Sequence, residues 1–153
     1  MAGVDWRTIL FFIGLFVCVG GLEETGVLNA LADFIGEISG GSIVMAITVI
    51  LWVSAFASAV VDNIPYVATM IPLIQDLAVK MGAADVKPLW WALSLGACLG
   101  GNATIIGASA NVIVAGISAK NGHRISFFEF TKYGLVVTLV NLALSTVFVL
   151  LTP

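Results

Sequence analysis

Asp62 stands in the run Val61-Asp62-Asn63-Ile64-Pro65 between two long apolar stretches. A carboxylate so placed can ligate a cation or take up a proton, and Asn63 beside it offers a neutral amide to an ion or solute. A second polar cluster follows, with Asn102, Thr104, Ser109 and Asn111 spaced among Gly100, Gly101 and Gly107. Its hydroxyls and amides supply oxygens and donors, while the glycines free the backbone to leave a regular helix. Carboxylate, amide and carbonyl oxygens are the set a hard cation takes. Asp62, Asn63, Asn102 and Ser109 are therefore the candidate Na+ ligands, with a proton on Asp62 as the alternative. Enzyme chemistry finds no footing: His123 is the one histidine and lies in a polar loop, and no nucleophile and base can be paired. Cys18 and Cys98 both fall in apolar runs and read as small buried hydrophobes.

The elements that must position these groups are set by lipid. Of 153 residues 60% are hydrophobic and 10% charged, against about a quarter charged in a soluble domain, and the mean hydropathy is +1.12. Nine acids, six bases and a net charge of -3 leave no basic stripe for nucleic acid. Apolar runs near the roughly 20 residues that cross a bilayer predict spans over about 6–22, 89–117 and 133–151. The first is flanked by Asp5 and Arg7 and by Glu23 and Glu24. Between the first two spans, 23–38 places Val27, Leu28, Leu31, Phe34, Ile35 and Ile38 at helical spacing among acids, which predicts an amphipathic interfacial helix ended by Gly40 and Gly41. The stretch 42–79 is apolar but broken at 62–65, because proline disfavours helix at the residue before it. The uncharged run from Tyr66 to Ile74 would reach only about 14 Å as a helix.

That break permits a re-entrant hairpin with its tip at 62–65, or one full span followed by an interfacial piece. Lysine and arginine gather in short cytoplasmic loops. A hairpin puts Arg7, Lys120, Arg124 and Lys132 on one side against Lys80 and Lys87, four to two, whereas a single crossing gives three to three. The bias favours the hairpin, entering from the outer face, with the N-terminus and the loop 118–132 in the cytoplasm; two full crossings share its parity. The uncharged run from Leu89 to Ile117, roughly 43 Å if helical throughout, is too long and too interrupted for one straight helix. Gly96-x-x-x-Gly100 within it suits close helix packing.

Broken backbone at membrane depth survives only where it is buried in protein or lines a cavity, and an aspartate there costs about 2.5 to 3.5 kcal/mol to insert. A hairpin tip meeting a broken helix would present helix N-termini to an anion and carbonyls to a cation. The two polar clusters thus read as one binding site, in a carrier or in a channel-like or non-transporting membrane subunit.

The runs Val4-Asp5-Trp6, Gly20-Gly21-Leu22-Glu23, Val61-Asp62-Asn63-Ile64-Pro65-Tyr66 and Ala68-Thr69-Met70-Ile71-Pro72 are familiar. With them, above all, stands Leu95-Gly96-Ala97-Cys98-Leu99-Gly100-Gly101-Asn102-Ala103-Thr104-Ile105-Ile106-Gly107-Ala108-Ser109-Ala110-Asn111. Together they resemble the C-terminal half of permeases in the ion transporter superfamily. The branch is that of arsenite-pump membrane subunits and P proteins, often labelled citrate-transporter-like. The resemblance covers essentially the whole chain. It implies an all-α membrane protein, one inverted-repeat half with a re-entrant helical hairpin and a discontinuous transmembrane helix, in the inner or plasma membrane. It implies ion and substrate contacts at Ser58, Asp62, Asn63 and Pro65 in the tip and at Gly101, Asn102, Thr104, Gly107, Ala108, Ser109 and Asn111 in the break. The activity implied is secondary transport of a small anion or oxyanion-like solute, such as arsenite or antimonite, coupled to Na+ or H+ by alternating access. Na+/H+ antiport is the alternative within the superfamily. No cofactor beyond the coupling ion is implied; the partners are the bilayer, a first repeat absent from this chain, and a second copy in a homodimer. Dicarboxylate carriers of the superfamily have a serine-asparagine-threonine tip, and this chain has Asp62-Asn63-Ile64 instead, which points away from a dicarboxylate.

Overall fold

The computed structural model describes residues 6–82 and 85–151, which form helices and connecting turns with no strand among them. The helices are α1 (Trp6–Glu24), α2 (Val27–Ile38), α3 (Ile43–Ser58), α4 (Asn63–Lys80), α5 (Lys87–Gly100), α6 (Ser109–Lys120) and α7 (Phe127–Leu151), with a 3-10 turn at Ile105–Gly107. The acidic flank expected at Asp5 lies outside the described residues. Apolar side chains including Leu10, Phe16, Ile113, Val114, Val136, Leu144 and Phe148 are exposed on α1, α6 and α7, a surface that calls for lipid instead of water. Among the described residues α7 is long and apolar enough to cross a membrane by itself; α2 and α3 qualify as a pair bent by 120°. That bend falls at Gly40 and Gly41, whose φ of 56° and 75° suit residues without a Cβ.

Two boundaries differ from the sequence expectation, at the break and at the start of α7, each for a local reason. The break in 42–79 spans Ala59 to Asp62 and not 62–65, because Asn63, Ile64 and Pro65 form the first turn of α4. Proline is tolerated there since the first-turn N–H groups have no intrahelical partner to lose. α4 runs to Lys80, within one residue of the expected 79, and the Lys80 ammonium sits 2.8 Å from Asp76 one turn back and 2.6 Å from Asp33 of α2. The hydrogen bond to Asp33, and then that to Asp76, raises the Lys80 pKa above its ordinary 10.5. α7 begins at Phe127, well before the expected 133, because the Ser126 hydroxyl accepts from the Glu129 N–H at 3.2 Å and caps the helix.

The chain doubles back after α3. The Tyr66 hydroxyl, one turn into α4, donates to the Ser54 hydroxyl near the end of α3 at 3.1 Å. Two collinear helices would hold residues twelve apart roughly 18 Å from each other, so α3 and α4 form a hairpin. α5 lies alongside α3 and runs the same way, Gly96 against Leu51 and Ser54, and Gly100 against Ala55. The Gly96-x-x-x-Gly100 pair thus serves close packing as expected, and in lipid such van der Waals contact, not expulsion of water, holds helices together. Ile47, Ile50, Leu51, Leu73, Ile74, Leu77, Leu89 and Leu93 fill the core between α3, α4 and α5. α7 closes one side through Thr138, which donates to the Leu99 carbonyl at 3.2 Å, and Thr146, which accepts from the Trp52 indole at 3.2 Å. Cys18 and Cys98 are exposed; the expectation that both are buried fails because each points away from this core.

Candidate functional site

The hairpin tip and the break between α5 and α6 meet face to face, and small residues make the approach possible. A Cβ on Gly107 would lie 2.7 Å from the Gly101 carbonyl oxygen and 2.9 Å from that of Ser58; one on Gly101 would lie 3.0 Å from the Gly107 carbonyl. No side chain fits at Gly107 without a backbone shift, and one at Gly101 would need its neighbour to give by a few tenths of an ångström, so three backbone segments pack closely here.

Hydroxyl and amide groups then satisfy the backbone that the break frees. The buried Ser58 hydroxyl donates to the Ala97 carbonyl at 2.7 Å, tying the end of α3 to α5. The Thr104 hydroxyl donates to the Ala59 carbonyl in the tip at 2.5 Å and accepts from the Gly107 N–H at 3.0 Å. The Asn111 amide donates both its hydrogens across the break, to the Gly101 carbonyl at 2.9 Å and the Thr104 carbonyl at 3.0 Å. This is how non-helical backbone can persist away from water. Asn111→Asp removes both donors and sets a negative oxygen against two carbonyls. With each stranded acceptor costing about 1 to 3 kcal/mol, the melting temperature of the purified protein should fall by several degrees; an unchanged melting curve would show that the amide does not hold the break.

Asp62 joins the two halves. One carboxylate oxygen accepts from the Ile64 N–H at 3.1 Å and caps α4. The other accepts from the Ser109 N–H at 2.9 Å and from the Ser109 hydroxyl. Ala108, at the N-cap of α6, has no side chain able to cap, so Asp62 caps that helix across space. One carboxylate is thereby shared by two helix N-termini, where partial positive charge and free N–H groups favour an anion.

Of the residues expected at the site, Ser58, Asp62, Gly101, Thr104, Gly107, Ala108, Ser109 and Asn111 come together in this network. Pro65 stands in the first turn of α4 without a donor to contribute. Asn63 makes no side-chain hydrogen bond among the described residues. Asn102 is exposed and donates back to the Cys98 carbonyl at 3.3 Å. The four candidate Na+ ligands therefore split: Asp62 and Ser109 bond each other, while Asn63 and Asn102 keep uncommitted oxygens.

Sequence reasoning missed the Ala59 and Ala97 carbonyls as acceptors, which carry no residue-type signal. It also missed Gly134 of α7, where a Cβ would lie 3.0 Å from the Ala103 carbonyl. A lone glycine inside a long apolar helix was the available clue to that close approach.

The family model described as citrate transporter, CitMHS, matches residues 1–96. An uncharacterized transporter of Mycobacterium tuberculosis is 51% identical over 149 residues, which is 97% of this chain and 35% of that protein. An uncharacterized transporter of Synechocystis is 40% identical, over 95% of this chain and 36% of its own length. The P protein of Mus musculus is 42% identical, over 97% of this chain and 18% of its own. The chain thus spans about a third of the length of the transporters it matches. No solved structure matches it. On the family match, the all-helical architecture and the apolar exterior together, the chain is an all-α membrane protein that belongs to the citrate transporter family.

Proposed function

We propose that this chain forms one inverted-repeat half of a secondary active permease in the inner or plasma membrane, moving a small anion or oxyanion-like solute coupled to Na+ or H+. The observation that carries the reading is the single network in which a hairpin tip and a helix break share one carboxylate between two helix N-termini. Secondary carriers build their sites from such discontinuous elements near the bilayer midplane. An aspartate there is expensive unless it is paired, and three donors on Asp62 meet that requirement.

Each group has a role in this reading. The N-termini of α4 and α6, held side by side through Asp62, turn positive partial charge toward the solute. Asn63, Asn102 and the free oxygen of Asn111 are neutral groups able to replace part of an ion's hydration shell. Ser58, Thr104 and Asn111 keep the break from collapsing into helix. The departure from a serine-asparagine-threonine tip favours an oxyanion such as arsenite over a dicarboxylate, while the family description favours citrate; the two are test solutes. The remaining two thirds of the relatives' length is the natural source of the first repeat, and a second copy completes a dimer.

The test is transport by the assembled full-length carrier in liposomes, with labelled citrate and with arsenite, under H+ and Na+ gradients imposed separately. Saturable movement with counterflow, driven by at least one gradient, is the expected result. Continuous conduction without saturation or counterflow would assign a channel, and exchange of Na+ for H+ without solute would assign the antiporter.

A further inference from the structure

Resting on the permease reading, we propose that Asp62 acts as a strut instead of a solute or ion ligand, and that Ser109 is the positioning residue that completes it. The strut ties the N-terminus of α6 to the hairpin tip, so that the tip and the second half of the broken helix move as one piece.

The hydrogen-bond arithmetic argues for this. An ionised carboxylate has about four acceptor positions, and three are filled, one by the Ile64 N–H and two by the N–H and hydroxyl of Ser109. All three donors belong to helix first turns, where the positive end of each helix adds to the hydrogen bond. The contact also replaces something α6 lacks, since its own N-cap is Ala108, and alanine is among the poorest residues at that position. α6 buries none of its residues in this chain, so among the described residues its position depends on its first turn: the Asp62 bonds, the Asn111 amide and the short connection through Ile105–Gly107. The Thr104 hydroxyl fixes the other side of that connection to the tip. Asp62 and Ser109 are thus the link through which a displacement of the hairpin reaches α6.

A strut needs an acid and a hydroxyl facing each other but is indifferent to which side carries which; a ligand needs its charge at its own position. Serine at 62 remains a good N-cap for α4, and aspartate at 109 sits favourably in the first turn of α6. The experiment therefore exchanges the pair in the full-length carrier, with the background substitutions Cys18→Ser and Cys98→Ser and the reporter Ala115→Cys on α6, outside the site.

Asp62→Ser alone and Ser109→Asp alone are expected to lower the initial rate of citrate or arsenite transport by about 30-fold, the scale of one charge-assisted hydrogen bond. Each should also speed maleimide labelling of the half-buried position 115. The double exchange should return both readings to within about threefold of the parent, because the pairwise interaction is restored. Ser109→Ala, which keeps the backbone donor and is the mildest change, should lower turnover while leaving the half-saturating solute concentration within about twofold, since a lost strut is not a lost contact.

A double exchange as inactive and as quickly labelled as its parents would overturn the proposal and assign Asp62 to the ligand. So would a Ser109→Ala protein with its half-saturation raised tenfold at unchanged turnover. If either single exchange fails to reach the membrane, the Ser109→Ala labelling rate decides, with unchanged labelling counting against the strut. A parent that moves neither solute under either gradient would instead overturn the permease reading, while the labelling results would still decide the strut.

Discussion

Asp62→Asn is expected to lower gradient-driven transport by the assembled carrier by about 100-fold while leaving its insertion in the membrane intact. The amide keeps the size of the carboxylate but has one acceptor oxygen, so it can cap α4 through Ile64 or receive Ser109, not both. Its NH2 group then faces the Ser109 N–H, donor against donor. Hydrogen bonds to a charged group contribute about 1.5 to 3 kcal/mol each, and losing even two at the low end removes about 3 kcal/mol. At 1.4 kcal/mol per factor of ten that is about 100-fold if the bonds are needed during the transport cycle. Insertion should survive because it follows from the apolar helices, and removing a charge eases it. Initial rates in liposomes, normalised to protein recovered in the membrane fraction, check this. A wild-type rate would show that Asp62 serves only the turn into α4.

Much of this arrangement could be read from residue types. Asp62 declared itself as an acid in an apolar run, and the glycine-rich stretch around Asn102 declared a break, since both violate the local pattern around them. The amphipathic spacing of Phe34, Ile35 and Ile38 was enough to place α2. The tip itself was misplaced because Pro65 is equally at home in a loop and in a helix first turn, and the sequence around it does not separate the two. The start of α7 was hidden by Glu129 and Lys132, whose charges read as loop although Ser126 and Glu129 stand in the spacing of a capping box. The pairing of Asp62 with Ser109 was out of reach altogether. The two are 47 residues apart, and only the close passage of α3 along α5 decides which donor the carboxylate meets.

That passage can be tested at one atom. Gly100→Ala is expected to lower the melting temperature by several degrees and to reduce transport as severely as the loss of Asp62. A Cβ on Gly100 would fall 2.5 Å from the Ala55 Cα and 2.7 Å from its carbonyl carbon. Comfortable carbon–carbon contact is about 3.5 to 4.0 Å, so α3 and α5 must part by about 1 Å. Both obstacles are backbone within regular helix and cannot rotate away, and overpacking of this kind typically costs about 1 to 3 kcal/mol. Alanine's better helix propensity returns at most about 1 kcal/mol. The functional loss follows from geometry. A 1 Å separation would stretch the Ser58 bond to the Ala97 carbonyl from 2.7 Å beyond the roughly 3.5 Å at which such a bond ceases. The Thr104 bond into the tip shares the same interface. Gly116 of α6 is the matched control, since a Cβ there meets nothing within 4 Å; Gly116→Ala should hold or raise the melting temperature. Equal behaviour of the two alanine variants would mean that α3 and α5 do not pass this closely, and the site built on their contact would have to be redrawn.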